Sequence, residues 1–450
     1  MKTYAAIALL SGMAVPAGAA PIALDHVRLF AGGGAPVEDA TVLIDGDHVV
    51  AAGRAVPVPP TAERRDYRGY TVMPGLISDH SHVGAVSGVS TGPQNYTAEI
   101  IAGQLAQYRR YGVTTVVALG NNRPLFDSLR VQAHAGRLPA DLFGVDQGIG
   151  APDGAPPQAM MKSAPDQLYR PATVAEAKAA VDRMVAAKTD LVKIWVDTFG
   201  GTLPRKMRPE IVAAVIAQAH ARGVRVAAHI HDLADARMVV AAGADILAHG
   251  VRDQPIPPEF AGELKTRGVW YVATLELDEA TTAWAEQAPW TRTAFARAAL
   301  SPELARQVDD PAWRARTLAD PKAAEARTSL AMNLRNLKIL HDAGVRIGFG
   351  TDSGAAPLRV PGIAEHRELA LMVEAGLSPV EALTVATSRA AEEMGLADRG
   401  TIAAGRRADL LVVRGDPTRN IAAIDDIVES WSAGTVVKGP LPAPEHALRD

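Results

Sequence analysis

The sequence predicts an α/β fold: a (β/α)8 barrel, that is a TIM barrel, carrying a small β-domain assembled from both chain ends. Three observations predict it. Between Thr71 and Leu396, short apolar runs alternate about eight times with longer helical stretches, the pattern of repeated parallel βαβ units. A glycine stands just ahead of several of those runs, in "YGV", "RGV", "AGA" and "AGV", where a helix must be capped before a strand begins. The two chain ends share a different texture, β-branched runs broken by Gly and Asp, which reads as hairpins.

Residues 1–20, "MKTYAAIALLSGMAVPAGAA", read as an export signal. Lys2 is followed by an apolar stretch from Ala5 to Val15, and Ala17-Gly18-Ala19 fits the small-x-small cleavage rule. The mature chain then begins near Ala20 or Pro21, in the periplasm or outside the cell. The competing reading is a cytosolic protein with an apolar first strand. The segment is short for a membrane span, and no later one approaches that length.

Residues 21–70 supply the first part of the β-domain. Residues 71–395 hold the barrel, with strands expected at "TVMPGLI", "GVTTVVAL", "DLVKIWV", "VRVAAH", "ADILAH", "GVWYVATL" and "GVRIGFGTD". A long insertion, Glu276 to about Ser329, separates the presumed seventh and eighth strands. Residues 396–440 return to the hairpin texture, and 441–450 form a tail.

The formal net charge is −4, and no basic stripe interrupts the balance, which argues against nucleic acid as a partner. The chain contains no cysteine. Disulfides, thiolate nucleophiles and zinc–thiolate sites are therefore excluded, and any metal must sit on His, Asp, Glu or a Lys-derived ligand. The sequence leaves the oligomeric state open, a homo-oligomer included.

On this frame the polar residues fall late in their strands, at the barrel face where such folds keep their chemistry. His80 and His82 end strand one, Lys193 lies in strand four, His229 ends strand five, His249 ends strand six and Asp352 follows strand eight. Side chains at i and i+2 share a strand face, so His80 and His82 point the same way. Imidazoles and carboxylates are standard ligands for zinc and similar divalent ions. Each residue also has a bland reading: Lys193 reaching to solvent, Asp352 capping a helix, a lone histidine satisfied in the core. The six together, in register, favour a metal site.

The stretches "MPGLISDHSH", "VKIWV", "VAAHIHDLADARMVVAAGADILAHG", "GFGTDSG" and "GTIAAGRRADLLVVRGDP" resemble the amidohydrolase superfamily, closest to its prolidase-like and imidazolonepropionase-like group. The resemblance runs over nearly the whole mature chain. It implies a metal-bearing TIM barrel with a β-sandwich built from both ends. It also implies roles residue by residue. His80, His82, His229 and His249 match the imidazole ligands, Lys193 the lysine whose carbamate bridges two metals, and Asp352 the aspartate that binds metal and handles the proton. The implied cofactors are two divalent ions, by default Zn2+. The implied reaction is attack of a metal-activated hydroxide on a small amide: an Xaa-Pro dipeptide, an N-acyl amino acid or a cyclic amide. An esterase or lactonase using the same centre is the alternative, and a non-catalytic barrel the third reading.

Two departures stand out. Ser78 occupies the position where the family usually has an aspartate, with Asp79 displaced by one. "HIH" offers His231 as a rival to His229; His229 lies closer to the strand body, which leaves His231 a substrate-side role. Trp195, Arg252 and Tyr271 lie near predicted strand ends as pocket candidates, with Arg252 suited to a substrate carboxylate.

Overall fold

The computed structural model describes residues 20–157, 163–199 and 202–441. Apart from Ala20 and Leu441, the export-signal and tail segments lie outside the described residues. The chain begins with β1 (Ile22–Leu29), β2 (Val37–Asp45) and β3 (His48–Gly53), an antiparallel meander. Next, β4 (Glu63–Asp66) and β5 (Tyr70–Pro74) both run parallel to β1.

Gly75 then turns the chain into β6 (Leu76–Ser81), all six of whose residues are buried. After a short hairpin, β7 (Val86–Ser87) and β8 (Ser90–Thr91), the strands β9 (Val113–Ala118) and β10 (Asp141–Gly144) extend β6 into a three-stranded parallel sheet. A second parallel sheet takes β11 (Val192–Trp195), β12 (Val226–His229), β13 (Ile246–Ala248), β14 (Trp270–Val272) and β15 (Arg346–Gly348), in chain order. Most of these strands are buried along their whole length, as parallel strands covered by helices must be. The glycines of the five strand-preceding motifs, Gly112, Gly223, Gly243, Gly268 and Gly344, all adopt positive φ, so each reverses the chain cheaply between helix and strand.

The two parallel sheets are separate ladders that meet at two seams. At one, the Ile149 N–H donates to the Lys193 carbonyl (2.8 Å) and the Trp195 N–H to the Ile149 carbonyl (3.2 Å). At the other, the Asp79 N–H donates to Phe349 (2.7 Å), the Thr351 N–H to His80 (3.0 Å) and the His82 N–H to Ser353 (2.7 Å).

Between β14 and β15 the chain inserts a helical segment. Three successive helices there, Pro302–Asp309, Pro311–Ala319 and Pro321–Ala343, start on the same device. Ser301, Asp310 and Asp320 each accept a hydrogen bond from a first-turn amide, and proline fills the first helical position, where its missing N–H costs nothing.

The far end of the chain adds β16 (Leu410–Arg414), β17 (Ile427–Ser432) and β18 (Thr435–Lys438). β16 pairs antiparallel with β5, giving one eight-stranded sheet of order β18-β17-β16-β5-β1-β2-β3, with β4 beside β1. Leu24, Val42, Ile44, Leu410, Val412 and Trp431 form an apolar cluster of its own. Inside it, Glu429 accepts from the Tyr67 hydroxyl (2.7 Å) and the Trp431 indole (3.1 Å), so the buried polar atoms are paired.

The second seam tolerates no added volume. A Cβ on Gly350 would lie 2.5 Å from His80 Cβ and 2.6 Å from its backbone nitrogen. Gly350→Ala is expected to cost about 1–3 kcal/mol as an overpacked site. Chemical denaturation of the variant beside the parent measures this, and equal midpoints would show that the seam yields freely.

Candidate metal centre

β6 stays extended through its tip because both flanks pair: Leu119 donates to the Ser81 carbonyl (2.9 Å), and the seam holds the other side. His80 and His82 therefore project together. Their Nε2 atoms lie 3.2 Å and 2.9 Å from the same atom, Asp352 Oδ1. These three residues form a buried His–His–Asp cluster whose ligand atoms lie within 4.8 Å of one another.

The other imidazoles continue the line. His80 and His249 ring centroids are 4.5 Å apart, and His249 and His229 are 4.3 Å apart. Phe199 stacks on the outer face of His229 at 5.2 Å, and Asp197 Oδ1 lies 3.3 Å from His229 Nε2. Burial pushes the His80 ring down to about 3, and lowers His229 and His249 too, so these rings are neutral at pH 7.

Lys193 enters from β11. It is wholly buried, with Nζ 3.5 Å from His80 Nε2 and 5.5 Å above the Trp195 ring. Burial pulls its ammonium down to about 7, with Asp352 and Asp197 opposing only in part. For Asp352, burial alone would favour the acid. The Arg359 guanidinium, which donates to Oδ2, opposes it, and the carboxyl is held well below its usual range.

The donor set fits a cation. His82 Nδ1 faces the Gly120 carbonyl at 3.1 Å, and a carbonyl only accepts, so the N–H sits on Nδ1. The lone pair on Nε2 then points at a carboxylate oxygen 2.9 Å away. At that distance the two atoms share a proton or a bound cation, and the buried His–His–Asp set is one that a cation fits. His80 Nδ1 is buried without a hydrogen-bond partner, and His249 Nδ1 is fixed by the Thr274 hydroxyl at 2.8 Å, freeing its other nitrogen. The backbone is strained at the same place. His249, Thr274 and Asp352, at the ends of β13, β14 and β15, all take positive φ (93°, 51° and 62°). Such residues persist only where surrounding structure over-determines them.

One carboxylate holds the floor of the centre together. Glu365, wholly buried on the helix Ile363–Glu374, accepts at Oε1 from Thr351 (2.8 Å), Ser353 (2.7 Å) and Ser78 (3.1 Å), and at Oε2 from the Gly362 N–H (2.8 Å). Ser78, the departure from the family pattern, thus serves this network. Asp79 turns to the opposite face, where both its oxygens are buried without hydrogen-bond partners. Burial and the neighbouring Glu393 push its carboxyl well up, and burial raises Glu393 to about 8.

The pocket candidates divide. Trp195 is buried against Gly120 and Gly148, its ring filling the space a side chain at either would need. His231 lies beside Asp232 (2.7 Å), so the structure brings His229 to the imidazole line and leaves His231 outside it. Arg252, the candidate for a substrate carboxylate, donates from Nη1 to buried Asp278 at 2.9 Å, while its Nε is buried without a hydrogen-bond partner. Tyr271 is wholly buried, and its hydroxyl accepts the Val251 N–H at 2.8 Å. Sequence reasoning missed Asp197 and Arg359. Asp197 had a signal, since it continues the period-2 series Lys193, Trp195, Asp197, whereas Arg359 lies in a loop with no period to mark it.

The amidohydrolase family model matches residues 71–440. The chain is 39% identical to the imidazolonepropionase of Deinococcus deserti over 102 residues, which is 22% of this chain and 25% of that protein. It is 29% identical to the dihydroorotase of Mycobacterium leprae over 125 residues, 28% of this chain and 26% of that one. The matches span about a quarter of these relatives' length. Among solved structures, a Xaa-Pro dipeptidase with bound methionine superposes with a TM-score of 0.75 at 22% identity, covering 93% of this chain and 100% of that chain. The ochratoxinase of A. niger gives 0.72 at 19% identity, covering 95% and 99%. These two likenesses are of fold, and the family match runs from β5 to the end of the last strand: the chain belongs to the amidohydrolase family.

Proposed function

We propose that this chain is an exported, metal-dependent hydrolase of small amides, acting on Xaa-Pro dipeptides, N-acyl amino acids or cyclic amides. One observation carries the reading: His80 and His82 converge on Asp352 Oδ1, at 3.2 Å and 2.9 Å, and a line of imidazoles runs on from His80, where a buried lysine meets it. The prolidase-like structural neighbours, one complexed with N-methylphosphonate-L-proline, favour a dipeptide among these substrates. In this reading the eight parallel strands close as one TIM barrel, and residues 21–70 with 396–440 make its β-sandwich companion.

His80, His82, His229, His249 and Asp352 would hold two divalent ions, most simply Zn2+, with Lys193 bridging them as a carbamate. Bound there, the ions supply Lewis acidity toward a carbonyl and a water of lowered pKa. The chain's own residues do the rest. Lys193 must be neutral to take up carbon dioxide, and burial among Val192, Ile194 and Trp195 favours the neutral amine near pH 7. Asp352, held ionised, accepts a proton from the attacking water and returns it to the leaving nitrogen. Arg359 and the Glu365 network keep that carboxylate in place.

The reading is tested on matched amide and ester substrates, with and without a chelator. Amide turnover that a chelator abolishes and divalent ions restore is expected; turnover of esters alone would replace the amidohydrolase reading with the esterase one. Lys193→Ala is expected to lose at least about a hundredfold in kcat/KM and to recover in part with short carboxylic acids, which replace the bridge. Full activity without rescue would mean that Lys193 is no bridge.

Stability of the chelated protein offers a check free of catalysis. The folded pKa of Lys193, about 7, lies below its unfolded value of 10.5, so burying the lysine costs most below pH 7 and the cost fades as pH rises to 10.5. Lys193→Met should therefore be more stable than the parent by roughly 2–4 kcal/mol at pH 7, with the gap closing toward pH 10. Denaturant titrations at the two pH values, in buffer free of carbon dioxide, read this directly, and a gap independent of pH would contradict the assigned environment.

A further inference from the structure

Asp352 presents its two oxygens to different partners. Oδ1 faces the imidazoles, while Oδ2 accepts from Nη1 of Arg359. A guanidinium carries five N–H groups in a planar fork, and among the described residues no other side-chain or backbone acceptor contacts this one. The Arg359 side chain is 26% exposed where Asp352 is 9%, so it spans from the buried carboxylate toward solvent.

The other cations nearby are less accessible or paired. The Arg252 side chain, against Asp278, is only 7% exposed, Lys206 pairs with Asp235 (2.7 Å), and Lys193 is wholly buried. Glu276, a wholly buried acid in the electrostatic field of Arg359, is pushed toward its neutral form by burial against the opposing pull of that guanidinium, and neither of its oxygens makes a hydrogen bond to it. The position of Arg359 is also fixed by its backbone. Its carbonyl accepts from the Gly354 N–H (2.9 Å) and its N–H donates to Ala356 (3.1 Å). Gly354 in turn packs so closely on the His82 carbonyl that a Cβ there would lie 2.1 Å from the oxygen.

From this placement we infer that Arg359 binds the free carboxylate of the substrate, one residue beyond the scissile bond, and so selects N-acyl amino acids and dipeptides with an unblocked C-terminus. The inference rests on the amidohydrolase reading and narrows it. A planar fork anchored by one N–H on Asp352 offers its remaining pairs to a second carboxylate, the bidentate geometry that arginine favours. The anchor also links recognition to chemistry, because the carboxylate that handles the proton is the one that orients the guanidinium.

The test compares Xaa-Pro dipeptides with their C-terminal amides, using the metal-loaded protein and its Arg359→Met and Arg359→Lys variants. Calorimetry of L-proline against L-prolinamide runs in parallel, with metal content measured on every preparation. The parent should prefer the acid over the amide by tenfold or more in kcat/KM, chiefly through KM, and should bind L-proline more tightly than L-prolinamide. Arg359→Met should bring both preferences near unity at unchanged metal content, with Arg359→Lys in between. Equal treatment of acid and amide by the parent, a preference that survives in Arg359→Met, or a loss that tracks falling metal content would each overturn the assignment. If neither substrate is hydrolysed, the Xaa-Pro reading fails, and the binding measurement still decides whether Arg359 reads a carboxylate.

Discussion

The site depends on a buried carboxylate that touches no candidate ligand. Glu365 gathers Ser78 from β6 with Thr351 and Ser353 from the loop after β15, and it also closes the first turn of its own helix. An acid excluded from water is costly unless hydrogen bonds replace its hydration. Four donors do so here, and each belongs to backbone or side chain that must be in place for the bond to form. Satisfying Glu365 therefore sets the relation of strand one to strand eight. His80 and His82 hang on one side of that junction and Asp352 on the other.

The same economy runs through the electrostatics. Neutral imidazoles pack ring to ring with little penalty, which is why His80, His249 and His229 can sit within 4.5 Å of their neighbours. Asp352 keeps its charge in contact with the Arg359 guanidinium, and Asp197 keeps its own beside His229. Lys193 would be the exception, an ammonium in an apolar strand, and its depressed pKa shows how the fold resolves the conflict, by favouring the amine. A chain without cysteine builds its donors from nitrogen and oxygen alone, so every ligand candidate was open to shifts of this kind.

Much of the centre was legible in the sequence because strands impose a period of two. His80 and His82 could be placed on one face, and strand-end positions singled out Lys193, His229, His249 and Asp352, since length and apolar texture mark where such strands stop. Periodicity says nothing about what lies across a gap. Arg252 and Tyr271 sit where pocket residues should, yet Asp278 and the Val251 amide, remote in sequence or invisible as backbone, claim their polar atoms. Arg359 escaped for the complementary reason: a loop residue owes its position to tertiary hydrogen bonds that no local pattern encodes. Ser78 looked like a lost acid, and only the three-dimensional neighbourhood of Glu365 explains a hydroxyl there.

The insertion between β14 and β15 has a different bearing. Its helices open on Ser301, Asp310 and Asp320, each closing its own first turn from the preceding residue. The last of them is also bound into the scaffold: Asn336 donates to the Val251 carbonyl (2.8 Å) and Asn333 to the Ala273 carbonyl (2.9 Å), close in sequence to His249 and Thr274. The insertion is thus a buttress behind the imidazole line, and exchanging it would reach the backbone that carries His249.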